Sequence, residues 1–173
     1  MLFYILMQII PLDHSSSVTL DFALFESNQD SSHGVVQISH GMAEHLGRYE
    51  NFISYLNEEG FHVVIHNHRG HGDRLIDGKI GFFATKGGWS YLVDDLISIH
   101  EWAVKQYPEL PHILLGHSMG SWIAMSALQK VTDFNAALIS GSSKPKVLET
   151  IVQKFLVRIE TMRLGPSGYS NFL

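Results

Sequence analysis

The residues with the most chemical content are Gly116-His117-Ser118-Met119-Gly120-Ser121. They follow the apolar run Ile113-Leu114-Leu115 and precede Trp122-Ile123-Ala124-Met125, which has helical character. The spacing Gly116-x-Ser118-x-Gly120 fits a nucleophile elbow, a tight strand-to-helix turn that lifts a serine hydroxyl above the end of a parallel sheet. A serine alcohol is a weak nucleophile. It needs a base to take its proton, a third group to orient that base, and preorganised N–H donors for the oxyanion that forms on the attacked carbonyl. The elbow itself offers one donor, the Met119 backbone N–H at the helix N-terminus. A second must come from a loop after an earlier strand, and His40-Gly41-Met42 stands in that place, with the Met42 N–H as the candidate. A bare G-x-S-x-G arises by chance in roughly one chain in twenty of this length at ordinary glycine and serine usage. The strand-turn-helix context and the upstream His-Gly loop therefore decide for Ser118 as nucleophile over Ser118 as the mere start of a helix.

Other chemistries compete. His66, His68 and His71 come near the spacing of a metal-dependent hydrolase motif, His-x-His-x-Asp-His, and neutral imidazoles suit zinc. Gly70 stands where that motif needs its aspartate. The alternative is a loop whose Arg69 and His71 brace the neighbouring His-Gly turn, and no metal or other cofactor is expected. Asp94, Asp95 and Glu101 invite a carboxylate pair, but they lie along a long helix and are expected to be its solvated face. The absence of cysteine excludes disulfides, thiolate metal sites and a cysteine nucleophile. A formal charge of -5, without a run of Lys or Arg, argues against a nucleic-acid partner.

The elements that must position these residues can be read from periodicity. Residues 18–26 alternate as a strand with one wet face, and after the turn-forming 27–34 a second strand covers 35–39. Tyr49, Phe52, Ile53 and Leu56 have helical spacing, with Gly60 as the stop. A short buried strand, FHVVIH, follows. Leu92, Leu96, Ile99 and Ala103 form one stripe of a long helix that ends near Pro108. Then come a strand at 112–116, a helix from Met119 to about Lys130, and a strand at 135–140. Strands alternating with helices predict an α/β fold, a mostly parallel sheet with helices on both faces. Ligands of such sheets sit at the carboxyl ends of the strands, where both motifs fall. The character changes near residue 143: after a breaker at 142–146, Leu148, Ile151, Val152, Phe155, Ile159 and Met162 line an amphipathic helix. Residues 1–143 are read as the core and 144–173 as a second, helical segment. The apolar residues 1–10 lack a flanking basic residue and are far shorter than the roughly 20 residues of a bilayer span. They predict a first strand or an exposed tail, with peripheral membrane contact as the alternative, in a cytoplasmic protein.

The stretches at 40–72 and 116–121 resemble the monoacylglycerol lipase and lysophospholipase branch of the α/β-hydrolases, also described as serine aminopeptidase-like. The resemblance runs from about 18 to 145. It implies Ser118 as nucleophile of an ester hydrolase, Met42 and Met119 as oxyanion donors, an acyl-ester or lipid substrate, and a cap beginning with the helix at 146–163. Two departures stand out: Asn67 replaces a usual acid, and Met42 a usual small residue. The triad of this fold runs Ser, then Asp or Glu, then His. All eleven histidines lie at or before His117, and Asp133, the sole later aspartate, sits in the wrong connection. The expectation is therefore the N-terminal part of a hydrolase, inactive alone, with an open sheet edge prone to self-association. A non-catalytic lipid- or partner-binding module is the alternative.

Overall fold

The computed structural model describes residues 6–10, 20–144, 147–165 and 168. Its strands are β1 (Leu6–Ile10), β2 (Leu20–Phe25), β3 (Gly34–Ser39), β4 (Phe61–Ile65), β5 (His112–His117) and β6 (Ala136–Ser140). The helices are α1 (Glu50–Glu58), α2 (Gly88–Gln106), α3 (Met119–Ala127) and α4 (Val147–Leu164), with a 3-10 turn at Leu46–Tyr49 before α1. The six strands form one sheet in the order β1-β2-β4-β3-β5-β6. β2 runs antiparallel to both of its neighbours, and β4, β3, β5 and β6 run parallel. This is the mostly parallel α/β sheet that the periodicity predicts.

Helices cover both faces. On one, Ile53 of α1 packs against Val36, Ile38, Val63 and Ile65. On the other, α2 places Leu92 and Leu96 against Leu114 of β5 and Ile123 of α3, and Ile99 and Ala103 against Leu20, Phe22 and Val35. Double coverage corrects the expectation of a wet face on β2, where Asp21 alone is exposed. Alternation along a strand indicates two faces; whether the second is wet depends on what packs there. The helical stripe of α1 narrows likewise, with Ile53 fully buried and Phe52 39% exposed. α3 stops at Ala127, short of Lys130.

α2 carries a second correction. Asp95 is not part of a solvated face: its side chain is 2% exposed and accepts from Arg69 Nε and Nη2, both at 2.9 Å, and from Arg74 Nη1 at 2.7 Å. The Arg69 guanidinium also lies 4.8 Å from the centre of the Tyr91 ring. Burial works against the Asp95 carboxylate, but the two guanidiniums outweigh it and hold the carboxyl below its ordinary value. Asp95 lies three residues after Leu92 and four before Ile99, on the buried stripe itself. Asp94 meets Lys130 at the half-exposed surface, and Glu101 is exposed.

Every residue of β6 is exposed, including Leu138 at 55% and Ile139 at 40%. α4 also shows apolar side chains to solvent, Phe155 and Met162 among them. Among the described residues, no helix is long and apolar enough to cross a membrane.

The buried ion triad gives a stability prediction. Asp95→Ala leaves two guanidiniums buried without their carboxylate and should cost roughly 3–5 kcal/mol. The shift of the urea unfolding midpoint measures this, and a loss no larger than that of an exposed acid such as Glu101→Ala would show that water, not Asp95, balances the arginines.

Candidate active site

β5 delivers the chain into a sharp turn. Ser118, between β5 and α3, has φ 52° and ψ -119°, and with Ala43 and Asp77 it is one of three non-glycine residues of positive φ among those described. Such backbone costs of order 1–3 kcal/mol and persists only where the surroundings enforce it. The enforcing contacts are visible. Ser118 N–H donates to Ser140 O at 2.9 Å, and Ser118 O accepts from Ser121 N–H at 3.0 Å. The flanking glycines are required by close approach. A Cβ on Gly116 would lie 2.7 Å from Gly120 O, and one on Gly120 would overlap the carbonyl oxygens of Ser39 and His40.

That second contact joins the two sequence motifs. Ser39 pairs with Gly116 in the parallel register of β3 and β5, so the loop after β3 and the turn after β5 emerge side by side. The position of a Cβ on Gly41 would be 3.1 Å from Ser118 Cβ. Met42 is 56% exposed beside the turn, and Met119 is buried at the start of α3. His40, Gly41, Met42, Gly116, Ser118, Met119 and Gly120 therefore share one end of the sheet. The His117 ring packs against Gly141, where a Cβ would sit 3.1 Å from its Cε1. Among the described residues, no side chain hydrogen-bonds the Ser118 hydroxyl.

Beneath this end lies a cluster of imidazoles. The His40 ring is 4.2 Å from that of His68 and 5.4 Å from that of His71, and His66 meets His68 at 4.8 Å. His40 Nε2 accepts the His68 N–H at 3.0 Å, which places the ring proton of neutral His40 on Nδ1, where it donates to Gly41 O at 2.8 Å. Burial pushes His40 down to about 4 and His66 down to about 3, and it pushes His68 well below its ordinary value, so all three are neutral at pH 7. Among the described residues, no three His, Cys, Asp or Glu are arranged to hold a metal ion, which leaves the metal-dependent alternative at His66, His68 and His71 without a ligand set. Of the expected braces, His71 packs edge-on to His40, whereas Arg69 turns away to Asp95.

Sequence reasoning passed over Glu44. Its Oε2 accepts from Gly41 N–H at 2.7 Å and from Tyr49 Oη–H at 2.9 Å. Burial opposes its ionisation, but those two donors, with His117 and Arg48 nearby, hold its carboxyl below the ordinary value. The signal available was a glycine-loop acid three residues beyond Gly41. Asp133 hydrogen-bonds His100 Nε2 at 2.8 Å, beside the start of β5 and so at the other end of the sheet from Ser118.

Known proteins share sequence and fold with this chain. The model of the family "Serine aminopeptidase, S33" matches residues 30–164. The chain belongs to this family. Among the relatives of this S33 chain, monoglyceride lipase of Rattus norvegicus is 33% identical over 106 residues, covering 61% of this chain and 33% of the relative. Monoacylglycerol lipase of Mycolicibacterium smegmatis is 35% identical over 109 residues, covering 62% and 37%. A thermostable carboxyl esterase from Bacillus coagulans superposes with a TM-score of 0.77 at 27% identity, covering 95% of this chain and 52% of the esterase. The fold is that of the α/β-hydrolases, and the chain spans about a third of the length of the curated relatives it matches.

The imidazole cluster predicts acid sensitivity. In the unfolded chain His40, His66 and His68 take up protons near 6.5, but in the folded protein His40 does so only at about 4 and His66 at about 3, and burial holds His68 well below its ordinary value. The unfolded state therefore binds more protons below pH 6.5, and stability falls as the pH drops from there toward 4. Asp95 and Glu44, whose folded values are depressed, lose their contributions only below their ordinary values of 3.8 and 4.5. Urea midpoints at pH 7, 6 and 5 should decline progressively; equal midpoints would mean that the rings are solvated.

Proposed function

We propose that the chain carries the nucleophile half of a carboxylic ester hydrolase acting on an acyl ester or lipid, with Ser118 as nucleophile. The observation that carries this reading is the strained Ser118 backbone, held above the crossing of α3 and β3 and beside the His40-Gly41-Met42 loop. In the proposed reaction, Ser118 Oγ attacks the ester carbonyl carbon and the carbonyl electron pair moves to oxygen. The Met42 and Met119 N–H groups receive that oxyanion. A base takes the Oγ proton and returns it to the departing alcohol, and water then releases the acid from acyl-Ser118 by the same steps.

The base and its orienting acid are inferred to lie outside these 173 residues, because no histidine follows Ser118 and the matched relatives are about three times the length of the aligned region. The names of those relatives favour a monoacylglycerol-like substrate. α4, which exposes Ile151, Phe155 and Met162, fits the opening helix of a cap over residues 144–173 whose apolar face holds an acyl chain. The same face would serve a non-catalytic lipid-binding module.

A fluorophosphonate probe followed by peptide mass spectrometry tests the nucleophile. Labelling is expected at Ser118 and lost in Ser118→Ala, whereas turnover of p-nitrophenyl butyrate by the chain alone should stay near background, since removing a catalytic histidine costs on the order of 10⁶ in turnover in an unrelated serine protease. No labelling would favour the binding module, and rapid turnover would mean that the base lies within the chain. The exposed β6 edge further predicts association that rises with concentration, and a monodisperse monomer in sedimentation velocity at high concentration would overturn that expectation.

A further inference from the structure

We propose that His40 and Glu44 are positioning residues that clamp Gly41 from both sides and so aim the Met42 N–H as an oxyanion donor. This rests on the reading of Ser118 as nucleophile. Gly41 is the one residue of the loop whose two backbone groups are both held by side chains. Its N–H donates to Glu44 Oε2 at 2.7 Å, and its carbonyl accepts from His40 Nδ1–H at 2.8 Å.

A trans peptide is planar, with the carbonyl of one residue and the N–H of the next pointing in opposite directions. Fixing the Gly41 carbonyl therefore fixes the Met42 N–H. His40 is 0% exposed and lies below the loop, so the carbonyl points into the protein and the Met42 N–H points out of it, on the side where Met42 is exposed. The clamp also decides which amide is free. The Gly41 N–H is committed to Glu44, which leaves Met42 as the donor of this loop.

Each half of the clamp has its own support. The His40 tautomer is set by the His68 N–H on Nε2 at 3.0 Å. Glu44 is held by Tyr49 Oη–H at 2.9 Å, and the 3-10 turn bearing Tyr49 is tied down by Leu46 N–H on Asn67 Oδ1 at 2.8 Å. Ala43, with φ 58°, is the strained residue that brings Glu44 back over Gly41. Glycine at position 41 keeps this approach close, since a Cβ there would lie 3.0 Å from Glu44 Oε2 and 3.1 Å from Ser118 Cβ.

The test uses the full chain labelled with ¹⁵N at glycine and methionine, and phenylboronic acid as the probe. The boronic acid adds to the serine oxygen as an anionic tetrahedral boronate, the hydroxyl proton passing to the buffer, and with no leaving group to protonate it asks less of a catalytic base than an ester does. In the wild type, both the Met42 and the Met119 amide signals should move on adduct formation. In Glu44→Ala and His40→Ala, Met119 should still respond while Met42 does not, and binding should weaken by about tenfold or more, an oxyanion donor being worth ~100-fold or more in turnover. Glu44→Gln keeps an acceptor and His40→Asn keeps a donor, so both should restore the Met42 response. Unchanged Met42 responses in the alanine variants, or no rescue by Gln and Asn, would overturn the clamp. If the alanine chains do not fold, Glu44→Gln decides alone: the Gly41 amide proton should move upfield as a charge-assisted bond becomes a neutral one, and an unmoved signal refutes the contact.

Silence of both methionines in the wild type would instead sink the Ser118 reading. The clamp would then be judged in the free chain by hydrogen exchange, with slow exchange at Gly41 supporting it and exchange as fast as in an open loop refuting it.

Discussion

The candidate site depends on one close approach of backbone to backbone. The first turn of α3 lies on the carbonyls of Ser39 and His40 with no room for a Cβ at position 120. This contact sets the distance between the end of β3 and the end of β5, and the parallel pairing of Ser39 with Gly116 sets their register. Once both are fixed, the loop after β3 and the turn after β5 must meet. The positive φ of Ser118 follows from the same geometry, because the chain has to reverse from strand to helix within one residue while α3 stays on the sheet.

The surroundings of this contact are unusually polar for a core. Asp95 and two arginines are buried beneath the loop at 67–74, and neutral imidazoles pack beside them. Such groups contribute less net stability than apolar packing of equal volume, because each has to be desolvated. What they provide is direction. His40 accepts from one backbone group and donates to another, which a leucine of the same volume could not do, and Asp95 ties α2 to the loop after β4 across 26 residues of sequence. The arrangement trades acid tolerance for a fixed loop.

The other side of the sheet is open. β6 holds its place by pairing with β5 and by accepting the Ser118 N–H at Ser140, yet all five of its residues are exposed. The turn at Ser118 thus leans on a strand whose five residues are all exposed. Contacts made by β6 bear directly on the rigidity of Ser118, because Ser140 accepts the Ser118 N–H.

Much of this was legible in sequence, and the reasons are local. Strand and helix periodicities placed β3, β4, β5 and α2, since each buries a continuous stripe, and the glycine spacing around Ser118 marked the elbow, since close approach excludes any other residue. The sequence also placed His40-Gly41-Met42 at the correct end of the sheet, because parallel strands put their following loops together. Tertiary structure alone decided the rest. Asp95 looked like a surface acid because its charge outweighed its position on the buried stripe, and only Arg69 and Arg74, brought from a distant loop, make that burial tolerable. The second face of β2 looked wet until the cluster around Ile53 of α1 closed over Ala23 and Phe25. Glu44 and the His40 tautomer carry no sequence signature, because their roles are hydrogen bonds to a backbone whose direction exists only after β3, β4 and α3 have packed.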